Sequence, residues 1–237
     1  MTIDRDAVDA VFLDVGNTLV SMDFALLCDL LAPRGVSCTP AALARAEAAT
    51  RPALSRFLTT RKDAGWVDTF AFYVAGILGR LDGVTAATRD TLAPRLAAEI
   101  RATIPTQRLW SAVLPGVPGA LARLRDAGLT VVAVSNSDGT VEAGLEERGL
   151  RRYLHHVVDS AVVGAEKPDA AIFRHALSLA SAAPERTVHV GDLYAVDVVG
   201  ARAAGLHAVL VDPHGDWPDV DCERVRDVTA LAQHLAG

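Results

Sequence analysis

Four short stretches of this chain hold the groups that could do chemistry. "VFLDVGNTLV" carries Asp14, with Gly16 two residues on; "VVAVSN" ends in Ser135 and Asn136; "EKPDAAIF" carries Lys167; "GDLYAVD" carries Asp192 and Asp197. Carboxylates, a hydroxyl and an ammonium are the residue types of a phosphoryl-transfer site. A carboxylate and a phosphate repel each other unless positive charge and hydrogen-bond donors lie between them. Each stretch alone has a blander account. An Asp at a strand end caps a helix or loop, Ser-Asn makes a turn, Gly-Asp is a common turn, and a single Lys is a solvated charge. Lys167 and Lys62 are, however, the only lysines in a chain otherwise served by Arg.

The elements around these stretches decide between the accounts. Short apolar runs at 10–15, 129–135, 155–160, 187–192 and 207–212 read as strands buried on both faces of a parallel sheet. Helical segments lie between them, one of them opening after Asp138 as a candidate cap and one carrying Ile172, Ala176 and Leu179. Alternation of this kind predicts an α/β fold, a doubly wound, Rossmann-like parallel sheet. Ligands of such sheets bind at the carboxyl ends of the strands, where the four stretches fall.

One interval breaks the rhythm. Between the first strand and Leu129 the pattern is helical: Phe24–Leu31, a helix from Thr39-Pro40 interrupted near Pro52, Trp66–Leu81, and Thr85–Ile104 bent or restarted at Pro94. We read 24–105 as an inserted helical cap domain, and 1–23 with 106–237 as the α/β core. Trp66, Phe70, Phe72 and Tyr73 are expected to form the core of the insertion.

Composition narrows the class. The 237 residues are 51% hydrophobic and 22% charged, which suits a folded globular chain. A net charge of −6 without a basic stripe argues against a nucleic-acid partner. No apolar run reaches the ~18–20 residues of a membrane span. Cys28, Cys38 and Cys222 lack metal-type spacing and read as small buried or partly buried thiols in a reducing compartment. The first residues carry no apolar signal core, so a cytoplasmic location is the expectation. Oligomeric state is not legible.

The four stretches, in this order and spacing, resemble the motifs of the haloacid dehalogenase superfamily of hydrolases. These are a nucleophilic Asp in "hhhDxxxT" (Asp14 to Thr18), a strand ending in Ser or Thr (Ser135), a Lys often followed by Pro (Lys167), and GDxxxxD (Asp192, Asp197). The resemblance runs from about Val11 to Asp212 and fits the subgroup with a helical cap. It implies that Asp14 forms an aspartyl-phosphate. Mg²⁺ would be held by Asp14, Asp192 and the carbonyl of Gly16, with Asp197 acting through a water. Ser135 would bind phosphate oxygens and Lys167 would neutralise both nucleophile and phosphoryl group. Asn136 would contact phosphate or substrate, or shape the turn.

Gly16 departs from the family's phosphatases, which usually place a second Asp there to protonate the leaving group. A general acid of this kind is worth typically ~10²–10⁴ in rate. Asp23 is a candidate replacement, with helix N-capping as its other role. The alternatives are a 2-haloacid dehalogenase, whose halide leaves without a proton, a phosphonate hydrolase using Lys62, and a non-catalytic binding or regulatory module. The leading expectation is a Mg²⁺-dependent phosphatase acting on a small phosphorylated metabolite. Its specificity would be set by the insertion; which insertion residues face the cleft, Arg61, Lys62, Trp66 and Arg80 among the candidates, is not legible in the sequence.

Overall fold

Strand β1 (Ala10–Leu13) is buried along its whole length, as its unbroken apolar run requires. The other strands are β2 (Val20–Ser21), β3 (Ala112–Val113), β4 (Thr130–Ser135), β5 (His156–Asp159), β6 (Thr187–Gly191), β7 (His207–Val211) and β8 (Glu223–Val225). This computed structural model describes residues 3–61 and 65–237. Lys62 therefore lies outside the described residues, as does the side chain of Trp66.

Among the described residues a six-stranded sheet runs in the order β5-β4-β1-β6-β7-β8, with every pairing parallel. The chain leaves β1 toward β4 and β5, then returns to β6 on the other side of β1. The switch in winding direction therefore lies between β1 and β6, where ligands of doubly wound sheets bind. The five strands read from the sequence are present. Two features were not expected: β8, whose "ERV" has no apolar run to betray it, and the antiparallel β2–β3 pair, only two residues per strand.

The chain forms two compact units, Met1–Ser21 with Ser111–Gly237, and Met22–Trp110. The second unit contains helices α1 (Phe24–Leu31), α2 (Pro40–Thr60), α3 (Trp66–Leu78), α4 (Ala86–Thr103) and the short α5 (Thr106–Leu109). The expected interruption near Pro52 does not occur, and α4 does not restart at Pro94; both prolines sit inside continuous helices. A proline removes one backbone hydrogen bond, and side-chain bonds hold the α2 turns around Pro52. Arg51 pairs with Glu47 through two buried hydrogen bonds of 2.8 and 2.6 Å, and Tyr73 of α3 donates to the same Glu47 at 2.5 Å. Around Pro94, burial of Ala93, Leu96, Ala97 and Ile100 keeps α4 seated. Phe70 and Tyr73 are core residues of this unit, and Phe72 stacks on Phe57 at 4.2 Å. Helix α3 ends at Leu78, not Leu81. The three cysteines are free and half-buried, with Cys28 Sγ 3.6 Å from Cys38 Sγ. No described helix is long and apolar enough to cross a membrane.

The first unit continues with α6 (Val117–Asp126), α7 (Val141–Glu147), α8 (Ser160–Val163), α9 (Ala170–Ala180), a π-turn at Tyr194–Val198 leading into α10 (Val199–Ala203), and α11 (Val228–Ala236). On α9 the buried stripe is Ile172, Phe173, Ala176 and Leu177, while Leu179 faces solvent. The stripe packs with Phe12, Val132 and Val158 of the sheet, and a fully buried side chain of this size contributes about 1.5–3 kcal/mol. Asp138 does not cap α7. Its carboxylate turns to Thr140, and Asp159, at the end of β5, accepts from the N–H groups of Gly139 and Val141 instead.

Helix α10 sits directly on the Lys167-Pro168 segment. A methyl group at Gly200 would lie 2.8 Å from Pro168 Cα and 2.7 Å from Phe173 Cε2. Overpacking of this kind costs about 1–3 kcal/mol. Gly200→Ala is therefore expected to lower the urea midpoint of unfolding, and an unchanged midpoint would show that the close approach is not maintained in solution.

Candidate active site

Strands β1 and β6 are hydrogen-bonded neighbours, with Leu13 in register with Val190, so their carboxyl ends deliver side chains to one place. Asp14 is the first residue beyond β1, and its N–H donates to the Val190 carbonyl at 2.9 Å. Asp192 is the first residue beyond β6. Ser135 ends β4, on the other side of β1. All three are buried.

The turn after β6 brings Asp197 back against its own strand. The Asp197 N–H donates to the Leu193 carbonyl at 2.7 Å, and the Leu193 N–H donates to Asp197 Oδ2 at 3.0 Å. This return is possible because residue 191 is glycine: a Cβ there would fall 2.1 Å from Asp197 Cγ.

Lys167 joins the two sides. Its Nζ donates to Asp14 Oδ1 at 2.6 Å and to Asp197 Oδ1 at 2.7 Å, with the lysine side chain only 1% exposed. Burial alone would push this ammonium down, but the charges of Asp14 and Asp197 overturn that and hold it above its usual range. Burial raises the Asp14 carboxyl to about 6, against the pull of Lys167 and with a further push from Asp197. Asp197, equally buried, goes the other way. Lys167 and His189 outweigh its desolvation and hold it ionised, below the usual carboxylate range. The two carboxylates thus differ in character although they share one cation.

Asn136 bonds through its amide to the backbone of Lys167. Its Nδ2 donates to the Lys167 carbonyl and its Oδ1 accepts the Lys167 N–H, both at 2.8 Å. These two bonds give Asn136 the structural role expected as the alternative to a phosphate or substrate contact, fixing the backbone that carries Lys167.

Asp23 is likewise reassigned. Its Oδ1 accepts the Leu26 N–H at 2.9 Å, capping α1, and its Oδ2 accepts from Arg108 at 2.5 Å. The Leu26 N–H and the Arg108 guanidinium hold it below the usual carboxylate range. That is the wrong direction for a general acid, which works best with a pKa near the operating pH.

In the first loop, Gly16 has no side chain to act as acid. The hydrogen bonds across this loop, Asn17 N–H to the Val20 carbonyl and Val20 N–H to the Val15 carbonyl, use neither backbone group of Gly16.

Two residues here were not singled out from the sequence. Asn17 takes the left-handed conformation at φ 54°, which Asn tolerates better than most residues. Its Nδ2 donates to Asp192 Oδ2 at 3.0 Å. Its signal was a polar residue directly beside Gly16 in the loop after β1. His189 lies inside β6, fully buried, with Nε2 3.0 Å from Asp197 Oδ1. Its signal was a titratable ring in the middle of an apolar strand. Among the described residues no group of three or more His, Cys, Asp and Glu converges into a metal cage.

A buried lysine–carboxylate cluster thus lies at the switch point of a doubly wound parallel sheet. The chain belongs to the haloacid dehalogenase-like hydrolase family, whose model matches residues 8–205. It is 37% identical over 134 residues to haloacid dehalogenase-like hydrolase domain-containing protein 3 of Xenopus laevis, covering 56% of this chain and 53% of that protein. It is 30% identical over 155 residues to the glyceraldehyde 3-phosphate phosphatase of Methanopyrus kandleri, covering 60% of this chain and 66% of that one. It is 36% identical over 121 residues to the phosphoserine phosphatase of Thermus thermophilus, covering 51% and 49%. The chain spans about half the length of the first curated relatives it matches, from 50% to 59%.

Among solved structures, a HAD-hydrolase from Bacillus subtilis bound to magnesium superposes with TM-score 0.65 at 18% identity, covering 96% of this chain and 98% of that one. A dehalogenase superposes with TM-score 0.62 at 21% identity, covering 98% and 99%. The fold is therefore common to hydrolases of different chemistry, and only the site can separate them.

For Asp23 the geometry has a direct consequence. Asp23→Ala is expected to lower stability by about 0.5–2 kcal/mol through loss of the cap, measured by urea unfolding. The rates on aryl and alkyl phosphates should be unchanged per folded molecule. A selective loss on the alkyl ester would restore Asp23 as the acid.

Proposed function

We propose that the protein is a Mg²⁺-dependent phosphatase acting on a small phosphorylated metabolite, with Asp14 as the nucleophile. The observation that supports this most strongly is the Lys167 ammonium buried between Asp14 and Asp197 at 2.6 and 2.7 Å. A carboxylate meant to attack an anionic phosphoryl group needs a fixed cation beside it, and this one is fixed from both sides.

In this reading Lys167 holds Asp14 Oδ1, leaving Oδ2 as the attacking oxygen. The phosphorus–oxygen bond to the leaving group breaks as the aspartyl-phosphate forms, and water then cleaves that acyl phosphate, regenerating the carboxylate. Ser135, at the neighbouring strand end, would donate its hydroxyl to a phosphate oxygen. Lys167 stabilises the charge that moves from nucleophile to phosphoryl group and back.

The residues at the carboxyl ends of β1 and β6 offer hard oxygen donors from two buried carboxylates, which suits Mg²⁺. That ion takes one or two carboxylates, keeps several waters, and does not need a three-residue cage. Asp14, Asp192 and the Gly16 carbonyl would hold it. The ion's contribution is to screen the phosphate from the nucleophile. Asn17 presets Asp192 for that task through its hydrogen bond to Oδ2. Asp197 was expected to reach the ion through water. Its two oxygens already take Lys167, His189 and the Leu193 N–H, so we assign it chiefly to anchoring Lys167.

Gly16 offers no proton and Asp23 caps its helix, so in this reading the leaving group draws its proton from water or from an acidic residue of the insertion. Phosphate release should then depend steeply on the leaving group. We expect an aryl phosphate to be hydrolysed faster than alkyl phosphates such as sugar phosphates, with all activity lost in Asp14→Asn and on chelation of Mg²⁺. The absence of phosphate release above the Asp14→Asn control, from either class of ester, contradicts the phosphatase reading.

The missing acid also suits 2-haloacid dehalogenation, since halide leaves unprotonated. Halide release from 2-haloacids without metal would select that reading. A non-catalytic module would do neither.

A further inference from the structure

We infer that His189 is a positioning residue of this site: its imidazole fixes the Asp197 carboxylate, and through it the Lys167 ammonium beside Asp14. The inference deepens the hydrolase reading above and rests on it.

His189 occupies the middle of β6 between Val188 and Val190, all three completely buried. A strand covered on both faces normally takes an apolar residue at such a position. A polar ring placed there is costly to desolvate unless it is hydrogen-bonded. Its ring stands edge-on to Phe173, centroids 4.9 Å apart at 79°, a contact that an apolar ring could also make. What a phenylalanine could not supply is the bond from Nε2 to Asp197 Oδ1 at 3.0 Å.

The direction of that bond is set by chemistry. An ionised carboxylate only accepts, so Nε2 carries the proton and donates. Burial pushes the imidazole below its usual range, even against the favourable charge of Asp197. It therefore adds a donor at Asp197 without adding a second positive charge to compete with Lys167.

Asp197 Oδ1 then receives two donors, Lys167 Nζ and His189 Nε2, while Oδ2 receives the Leu193 N–H. Three donors from three directions leave the carboxylate one orientation. Losing the imidazole bond frees it to rotate and to draw the lysine away from Asp14. The lysine is needed most while charge moves between Asp14 and the phosphoryl group, so the loss falls on turnover more than on substrate binding.

The test compares wild type, His189→Phe and His189→Gln on the aryl phosphate, with thermal unfolding of each. His189→Phe keeps the ring against Phe173 but cannot donate, and is expected to stay folded while kcat falls on the order of 10- to 100-fold, typical for loss of a residue supporting a direct ligand. KM should be unchanged. His189→Gln, whose amide can donate from a similar reach, should recover most of the loss. A His189→Phe enzyme with wild-type kcat overturns the inference, as does a Gln variant no better than Phe.

A second measurement needs no turnover. Ring ¹⁵N spectra of the wild type should show His189 as the neutral Nε2–H form, with slow exchange of that proton, and Asp197→Leu should abolish the protection. The Nδ1–H form, or an unprotected Nε2–H, overturns the inference. If the spectra agree but no phosphate ester is hydrolysed above Asp14→Asn, the substrate reading fails and the positioning of Asp197 stands.

Discussion

The site depends on one buried ammonium. Lys167 is enclosed almost completely and touches two carboxylates on different stretches of chain, Asp14 after β1 and Asp197 in the turn after β6. Any one of these charges alone in such a place would be strongly destabilising, and removing one partner of a buried pair typically costs about 3–5 kcal/mol. Together they are tolerated because each is hydrogen-bonded as well as neutralised. Asp197 settles as a firmly ionised anchor. Asp14, pushed up by burial, stays the more adaptable of the two. That inequality suits a pair in which one carboxylate holds the cation and the other does chemistry.

Much of the surrounding structure can be understood as what keeps this cation in place. Asn136 clamps the Lys167 backbone with two bonds from the end of β4. Gly200 lets α10 sit against Pro168, and Gly191 makes room for the returning Asp197. These contacts tie together β1, β4, β6 and the segment before α9, elements scattered over the sequence but adjacent in the sheet. The parallel order fixes the site by making all of these strands end on one side.

Much of this was legible in the chain. Apolar runs buried on both faces announce parallel strands, and the polar residues at their carboxyl ends, Asp14, Ser135 and Asp192, stand out against them. Roles that depend on which way a side chain turns were not legible. Asn136 and Asp23 have the right chemistry for ligand binding or proton transfer, but local backbone groups claim them first: the Lys167 peptide in one case, the N-terminus of α1 and Arg108 in the other. Pro52 and Pro94 looked like breaks, and packing together with side-chain bonds kept their helices whole. Asp159 capped the turn before α7 from another strand, an arrangement no local window could show. His189 was in plain view within an apolar run, yet its meaning required the distance to Asp197.

The central claim is that Asp14, held by Lys167, is the nucleophile. It is tested most directly by quenching the enzyme during turnover of an aryl phosphate and locating phosphate by peptide mass spectrometry. The account predicts an acid-stable, base-labile phosphoryl adduct on Asp14 that is absent from Asp14→Asn. Sustained phosphate release with no adduct on Asp14, or with the adduct on another residue, would contradict it.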